Sequence, residues 1–328
     1  MVAMKGVIPQ TTPLFMAGVR LLPAGLLVLA AAIVAGRPQP KGWTAWAWIA
    51  LFALVDGLMF QGFLAEGLVR TGAGLGSVMI DSQPIAVALM AWLLFGEMIG
   101  IWGWLGLAIG IGGITLLGLP DAWIQALLQG QVPLDGAQLG AGLIYDLFQN
   151  GQWLMLLASL SMAVGTVIMR YVSRHADPVS ATGWHMILGG IPLFALSALT
   201  ETGQVTQLDG ANWLAMGYST LFGSAIAYGL FFYFAASGSL TSLSSLTFLT
   251  PVFALLFGNL FLAEMLTPIQ WGGVGLTLVS IYLINQREVL AQKWAGRSRL
   301  TADLAQRQPE PVRPEVTQPV SVHLPQSD

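Results

Sequence analysis

The sequence predicts an all-α integral membrane protein built as an inverted repeat of two five-helix halves. Three observations predict this class. Hydrophobic residues make up 55% of the chain and charged residues only 9%, apolar stretches of membrane-spanning length recur, and the two halves align with each other. A soluble domain carries roughly 25% charged residues, so most of this chain is expected to lie in lipid.

Nine apolar stretches are visible that approach the roughly 20 residues needed to cross a bilayer. Prolines, glycines and polar clusters separate them. Thr267 followed by Pro268, for example, is typical of an N-cap before a proline at the first helical position. The predicted spans lie near residues 13–35, 43–65, 73–95, 100–119, 152–172, 178–200, 211–235, 240–262 and 267–285.

The internal repeat aligns residues 46–117 with residues 213–284 without a gap, at an offset of 167. Coincident prolines, tryptophans and a rare Glu-Met pair are poor candidates for chance. The offset contains five spans, an odd number, so matched helices are expected to run in opposite directions through the membrane. The matched positions include Trp46 and Trp213, Pro84 and Pro251, Glu97 and Glu264, and Gly106 and Gly273.

Two five-helix halves need ten helices, so the first helix is largely missing from the first half. Pro13 and Arg20 align with Pro178 and His185, and the few residues before Pro13 align with the end of the helix at 152–172. Either the start codon is placed too far downstream or the protein works without this helix. We favour the first alternative, because half a helix cannot satisfy a membrane-spanning backbone by itself.

The predicted organisation has four parts. Residues 1–119 form the first repeat, residues 120–151 an external linker, residues 152–287 the second repeat and residues 288–328 a cytoplasmic tail. Apolar residues at helical spacing in the linker favour helices along the membrane surface. The Pro-, Gln- and Val-rich composition of the tail predicts disorder.

Basic residues predict the orientation in the membrane. With the carboxyl end in the cytoplasm, Arg37, Lys41, Arg170 and Arg174 lie inside, and Arg70 is the one basic residue in a clearly external loop. This asymmetry follows the positive-inside rule. We therefore expect a multi-pass protein of the cell (inner) membrane with its C-terminus in the cytoplasm.

Polar residues within the spans of the first half are candidates for a substrate or proton site, because such groups are costly at membrane depth. Asp56 is either a substrate-amine or proton site or a structural partner of Arg20. Arg20 suits a substrate carboxylate or phosphate, although structural pairing is an equal alternative. Asp81 and Gln83 precede Pro84, which frees backbone carbonyls to line a cavity.

The matching positions of the second half are mostly aromatic or hydroxylated, so an asymmetric site is expected. Gln61, itself a candidate, aligns with Tyr228. His185 takes the place of Arg20 and is a residue type that changes charge near physiological pH, although a lone histidine is more often structural. Further candidates, which would add indole, hydroxyl and amide groups, are Trp184, Tyr233 and Asn259.

The duplicated carboxylates Glu97 and Glu264 are interpreted as fold determinants. Each lies in a short turn before a helix beginning near residue 100 or 267, where it can accept backbone N–H groups at the positive end of the helix dipole. Glycines on the helices that follow, including Gly106 and Gly273, allow close helix contact. Three scattered histidines and no cysteine predict no metal site and no cofactor.

This pattern resembles an EamA-type permease of the drug/metabolite transporter superfamily over residues 1 to about 287. The resemblance implies a ten-helix inverted repeat that moves small metabolites by alternating access, often outward. The chain departs from it in lacking the first helix and in the segment between the halves. The residues that carry the resemblance are Pro84, Glu97, Met98, Trp104 and Gly106, with their echo in Pro251, Glu264, Gln270, Trp271 and Gly273.

The favoured function is a secondary transporter, and an exporter, of small metabolites such as amino acids or other amphipathic compounds. A proton-coupled carrier is slightly favoured over a passive facilitator. A membrane-embedded lipid-modifying enzyme would need a cluster of acids or histidines at the membrane surface, which the sequence lacks. A non-transporting scaffold is a plausible alternative only if the protein really works without its first helix. We expect a small-molecule substrate, contact with the bilayer, no nucleic acid, and a homodimer as one option for assembly.

Overall fold

The computed structural model describes residues 1–96, 99–118, 149–236 and 249–294, together with two single residues, Ile124 and Gln129. Every regular element in these ranges is a helix, and no strand occurs among them. The predicted all-α class is confirmed. The predicted linker helices lie almost entirely outside the described residues.

The predicted span 73–95 is divided between two helices, and only residues 249–262 of the predicted span 240–262 are described. In chain order the helices are α1 (Val2–Val7), α2 (Pro13–Val34), α3 (Trp43–Arg70), α4 (Ala73–Ile80), α5 (Gln83–Phe95), α6 (Ile101–Gly118), α7 (Gly151–Val172), α8 (Pro178–Thr200), α9 (210–236), α10 (Leu249–Leu262) and α11 (Pro268–Asn285).

Six helices or helix pairs are long and apolar enough to cross a membrane, among the residues that the structure describes. Two shorter apolar helices, Ile101–Leu117 and Phe253–Leu262, accompany them. The six are Pro13–Val34, Trp43–Arg70, Ala73–Leu94, Gly151–Val172, Pro178–Thr200 and Gly210–Phe231.

The beginning of the predicted tail differs from the expected disorder. Residues 287–294 are helical and form α12, directly after α11. The prediction of disorder from residue 288 onward is therefore wrong for these first residues. The remainder of the tail lies outside the described part of the chain.

Side chains at the helix starts explain where several helices begin. Asp177 accepts hydrogen bonds from the backbone N–H groups of Val179 and Ser180 at the start of α8, at 3.1 and 3.0 Å. Thr267 and Gln270 form a reciprocal capping box at the start of α11. Such contacts satisfy N–H groups that have no partner within the helix.

Each of the two longest helices contains a segment of wider π-helical turns. These segments are Ala53–Phe60 in α3 and Leu221–Ile226 in α9. At the repeat offset of 167, residues 53–60 correspond to residues 220–227, so the two segments coincide. Short π-helical turns are rare and often occur at functional sites.

Helices α2 and α8 form an antiparallel pair that joins the two halves, and carboxylates close it at both ends. At one end, Glu201 accepts the backbone N–H groups of Leu14 and Phe15, at 2.9 and 3.1 Å. At the other end, Arg37 pairs with Asp177 at 3.4 Å. The pair brings the middle of α2 against the middle of α8, where Arg20 and His185 lie.

The predicted close contact of glycine-bearing helices is found between α6 and α11. Ser280 Oγ donates to the carbonyl oxygen of Gly106 at 2.6 Å. Gly113 and Gly273 face each other so closely that a Cβ on either glycine would lie 3.0 to 3.1 Å from the carbonyl oxygen of the other. This approach leaves no room for a side chain at the contact.

A glycine-to-alanine pair on α6 tests this contact. At Gly113 a Cβ would lie 2.8 Å from the backbone nitrogen of Thr277, whereas at Gly112 nothing lies within 4 Å. Gly113→Ala should destabilise the protein by about 1 to 3 kcal/mol through overpacking. Gly112→Ala should be neutral or stabilising, since alanine is the better helix former.

The measurement is the unfolding temperature of both variants and the unchanged protein in the same detergent. Equal unfolding temperatures for the two variants would contradict the α6–α11 contact.

Candidate functional site

Four buried polar side chains lie near the middle of helices from both halves. Arg20 is on α2, Asp56 and Gln61 are on α3, and His185 is on α8. Their exposed fractions are 8%, 3%, 1% and 0% respectively. At membrane depth such groups must find partners within the protein or bind a ligand.

Asp56 and His185 form a buried pair between α3 and α8. The Nε2 atom of His185 lies 3.1 Å from Oδ2 of Asp56, and the ring of Phe52 lies 4.0 Å from the imidazole ring, centroid to centroid. Helix α7 leaves room for the carboxylate with Gly165, where a Cβ would lie 2.8 Å from Cβ of Asp56. The structural alternative that paired Asp56 with Arg20 is wrong, because His185 is the partner.

A second set of hydrogen bonds runs from Arg20 to Tyr228. Nη2 of Arg20 donates to Oε1 of Gln61, and Nε2 of Gln61 donates to the Tyr228 hydroxyl at 3.1 Å. Nη1 of Arg20 lies 3.1 Å from the sulfur of Met4 on α1. The contacts cross from the first half to the second, since Tyr228 belongs to α9.

Tyr228 brings the two sets together. Its ring lies 6.3 Å from the His185 ring, centroid to centroid, and its side chain packs against three separate clusters of buried apolar residues. Arg20, Gln61, Tyr228, His185 and Asp56 therefore form one group, which we call the polar path. It draws on two helices of each half.

The polar path retains unused hydrogen-bonding capacity. Nε of Arg20 and Nδ1 of His185 are buried and have no partner among the described residues. The hydroxyl of Ser224, in the π-helical segment of α9, is likewise buried without one. Buried polar atoms of this kind, whether donors or acceptors, are costly unless they are satisfied. That the path binds a polar ligand stays a prediction.

The second predicted pocket lies at the break between α4 and α5. The Ser77 hydroxyl donates to Oδ2 of Asp81 at 3.3 Å, and Nε2 of Gln83 donates to Thr166 on α7 at 2.6 Å. Pro84 occupies the first turn of α5. The break places buried and partly buried polar groups within the predicted span 73–95, and a role for them in substrate binding stays a prediction.

Carbonyl groups freed at this break are satisfied by serine hydroxyls. Ser82 donates to the carbonyl of Met79 at 2.6 Å, and Ser159 donates to that of Ile80 at 3.2 Å. Sequence reasoning missed Ser159 and Thr166. Both lie on α7, seven residues apart, so they share one helix face, and that spacing is the signal that could have identified them.

Three other predicted residues lie apart from the polar path or outside the described side chains. Nε1 of Trp184 donates to Gln39 at 3.0 Å, near one end of the bundle. Nδ2 of Asn259 donates to the carbonyl of Glu264 at 3.1 Å and thereby closes the turn after α10. Asn259 is exposed there, away from the path. The side chain of Tyr233 lies outside the described residues.

Glu264 accepts backbone N–H groups, but from a different helix than predicted. Its carboxylate accepts the N–H groups of Ala73 and Gly74 at 2.5 and 2.9 Å. It therefore caps α4 of the other half, whereas the helix that follows it is capped by Thr267. Glu97, its counterpart, lies outside the described residues, as does the side chain of Pro251.

These features define a multi-pass membrane protein whose two halves meet around buried polar groups. A family model described as the EamA-like transporter family matches residues 1–119 and 149–286. The chain belongs to this family, and the resemblance to EamA-type permeases is confirmed. The protein is thus a membrane transporter by family.

Among three relatives of this chain, two are named as transporters. The chain is 61% identical over 293 residues to an uncharacterized transporter of Synechocystis sp., covering 88% of this chain and 86% of the relative. It is 51% identical over 289 residues to a chloroplastic WAT1-related protein of Arabidopsis thaliana, covering 87% of this chain and 66% of that protein. An uncharacterized inner membrane transporter of Escherichia coli, YedA, is 29% identical over 281 residues, covering 83% of this chain and 81% of that protein.

A solved crystal structure has a similar fold. It aligns with a TM-score of 0.59 and covers 89% of this chain and 92% of its own, at 15% sequence identity. At that sequence identity the similarity shows the fold alone.

A double-mutant cycle tests the Asp56–His185 pair. Asp56→Ala and His185→Ala each leave one buried partner unsatisfied, which typically costs roughly 3 to 5 kcal/mol for a buried ion pair. The double variant removes both groups, so its cost should fall below the sum by about 0.5 to 3 kcal/mol.

The measurement is the free energy of unfolding in mixed micelles. Asp56→Ala combined with Thr206→Ala, at an exposed position, is the additive control. Additivity in the Asp56–His185 cycle would mean that the pair contributes no coupling.

Proposed function

We propose that this protein is a secondary transporter that exports small metabolites, such as amino acids or other amphipathic compounds, by alternating access coupled to protons. The observation that carries the proposal is the buried Asp56–His185 pair at 3.1 Å, set between helices of the two halves. Membrane-depth acids and histidines are typical of proton relays in transporters. Substrate sites near the midplane at a repeat interface are typical of such carriers.

The proposal includes the inverted repeat with ten helices, of which nine spans are visible. Contacts between helices of one half and helices of the other half support this arrangement. Helix α7 of the second half packs against α3, α4 and α5 of the first, whereas α1 of the first half packs against α9 and α10 of the second. In this arrangement α1 corresponds to the final turn of α7, and the coincident π-helical segments mark equivalent positions.

Unequal burial of the matched helices agrees with this arrangement. The span Gly210–Phe231 is 28% buried, and its counterpart Trp43–Arg70 is 44% buried. Helix α7 covers much of α3, whereas the short α1 contacts α9 near its beginning.

The two states of the carrier would differ in the side of the membrane from which the polar path is accessible. Gly57 and Gly189 place α3 and α8 in backbone contact beside the Asp56–His185 pair, where a Cβ on Gly57 would lie 2.9 Å from Cα of Gly189. A change of charge on the pair alters the cost of burying it. Proton binding can thereby bias how the two halves pack, which is the requirement for coupling.

The proposed orientation places the C-terminus in the cytoplasm of a cell with this protein in its inner membrane. Arg37 and Lys41 lie between α2 and α3, and Arg174 lies between α7 and α8, at the same end of the bundle. The helix-capping carboxylates Glu201 and Glu264 lie at the other end, whereas Asp177, which caps α8, lies with the basic residues. This separation agrees with the positive-inside rule.

Transport by purified protein in proteoliposomes tests the proposal. Labelled amino acids and other small metabolites are loaded inside, and their efflux is followed with and without an imposed pH gradient. At least one compound should leave in a manner that depends on the gradient. Asp56→Asn should remove that dependence, because the pair then lacks its carboxylate.

Lys41→Gln, at an exposed position between α2 and α3, is the matched control and should behave like the unchanged protein. Because the chain contains no cysteine, Lys41→Cys reports orientation through an impermeant thiol reagent. Efflux that ignores the gradient would instead identify a passive facilitator. No flux of any compound from folded protein would contradict the proposal.

A further inference from the structure

Arg20 carries a buried positive charge that no carboxylate balances directly, among the residues that the structure describes. Its side chain is 8% exposed, and its contacts are the neutral amide oxygen of Gln61 and the thioether of Met4. Its Nε–H donor has no partner. Guanidinium groups stay protonated in proteins, and an uncompensated buried charge costs several kcal/mol.

Asp56 does not provide the missing partner. Its Oδ2 atom lies 3.1 Å from His185 Nε2, and Arg20 forms no ion pair with it. The carboxylate and the guanidinium are instead separated by Gln61, Tyr228 and His185. An anion placed at Arg20 would therefore not have to displace a protein carboxylate.

We infer that Arg20 binds the anionic group of a small organic anion, a carboxylate or a phosphate ester, together with a proton on the Asp56–His185 pair. This inference rests on the proposed transport function and specifies its substrate class. Arg20 is suited to the role, because a guanidinium can hold a carboxylate or phosphate with two parallel hydrogen bonds. The unused Nε–H supplies one of these donors.

Charge balance couples the two ligands. With His185 neutral, the charges of Asp56 and Arg20 sum to zero over the polar path, although the two groups are not in contact. A proton added to His185 makes the Asp56–His185 pair neutral overall and leaves the charge of Arg20 uncompensated. An anion at Arg20 restores neutrality, so each ligand strengthens binding of the other, which is reciprocal by linkage.

The charged and titratable groups that face the pair come from each packed helix. Helix α9 contributes Tyr228, while α7 faces Asp56 with Gly165, which cannot titrate. Arg20 on α2 reaches the pair indirectly, through Gln61 and Tyr228. Helix α1 faces Arg20 with Met4, and the amino group of Met1 interacts electrostatically with Arg20 and Asp81. The loaded site thus gains one negative and one positive charge, and the substrate and the proton should cross in the same direction without net charge movement.

Binding and flux together test this inference. Purified protein is heated with lactate, malate, glutamate or inorganic phosphate as probes, each organic acid being paired with its neutral amide analogue. At least one anion should raise the unfolding temperature, more in acidic than in alkaline buffer, and the amide should not. In liposomes, efflux of a monovalent anion such as lactate should acidify the external medium and leave the membrane potential unchanged.

Arg20 variants show whether the effect belongs to this site. Arg20→Gln should weaken anion binding by at least about tenfold, the size expected for loss of a charge-assisted hydrogen bond. Arg20→Lys keeps the positive charge but not the two parallel donors of the guanidinium, so this variant should retain part of the anion binding. Arg70→Gln, which alters a half-exposed arginine paired with Glu66, is the matched control and should bind as the unchanged protein does.

The outcomes separate this inference from the proposed function. Transport of neutral or cationic compounds without any anion would overturn the inference and leave the transporter intact. Anion binding that survives Arg20→Gln in folded protein would also overturn it. Arg20-dependent anion binding without flux of any compound would support the site and contradict transport.

Discussion

The hydrogen bond between Asp56 and His185 is the interaction on which the centre of this molecule depends. Inside a bilayer neither group has water as an alternative partner, so each requires the other. Their contact fixes α3 against α8 and thereby the first half against the second. The surroundings are shaped to it, with the ring of Phe52 on the imidazole and Gly165 beside the carboxylate.

The proposed duplication would account for the arrangement of the helices but not for the polar groups between them. Helix pairs, π-helical segments and proline-led helix starts recur in both halves, and Glu264 of one half caps a helix of the other. The charged groups do not recur. Asp56 corresponds to Gly223 and Arg20 corresponds to His185. A repeated sequence pattern thus carries an asymmetric set of polar groups, which is the arrangement that the proposed proton-binding pair and the proposed anion-binding arginine require.

Much of this arrangement was predictable from the sequence, because hydropathy and turn residues determine where helices begin and end. The all-α class is confirmed, and five predicted site residues come together: Arg20, Asp56, Gln61, His185 and Tyr228. They were identifiable as polar groups at membrane depth, where a polar side chain is costly unless it has a partner or a ligand.

The partners of these residues were not predictable in the same way. Which helix faces meet depends on close packing between segments far apart in sequence, and the π-helical turn that carries Asp56 changes the direction of its side chain. The same limit applies to Glu264, whose cap on α4 spans 191 residues. It also applies to Asn259, which lies in the last turn of α10 and donates to the carbonyl of Glu264 in the turn that follows.

Accessibility of residue 61 from the two sides of the membrane tests most directly whether the polar path is a transport site. The side chain of Gln61 is 1% exposed in this structure, and the chain has no cysteine of its own. Gln61→Cys is treated with a membrane-impermeant thiol reagent in right-side-out and in inverted vesicles. We expect labelling from both sides, because alternating access opens the path to each side in turn. Labelling from neither side, or from one side only, would contradict a path that opens alternately.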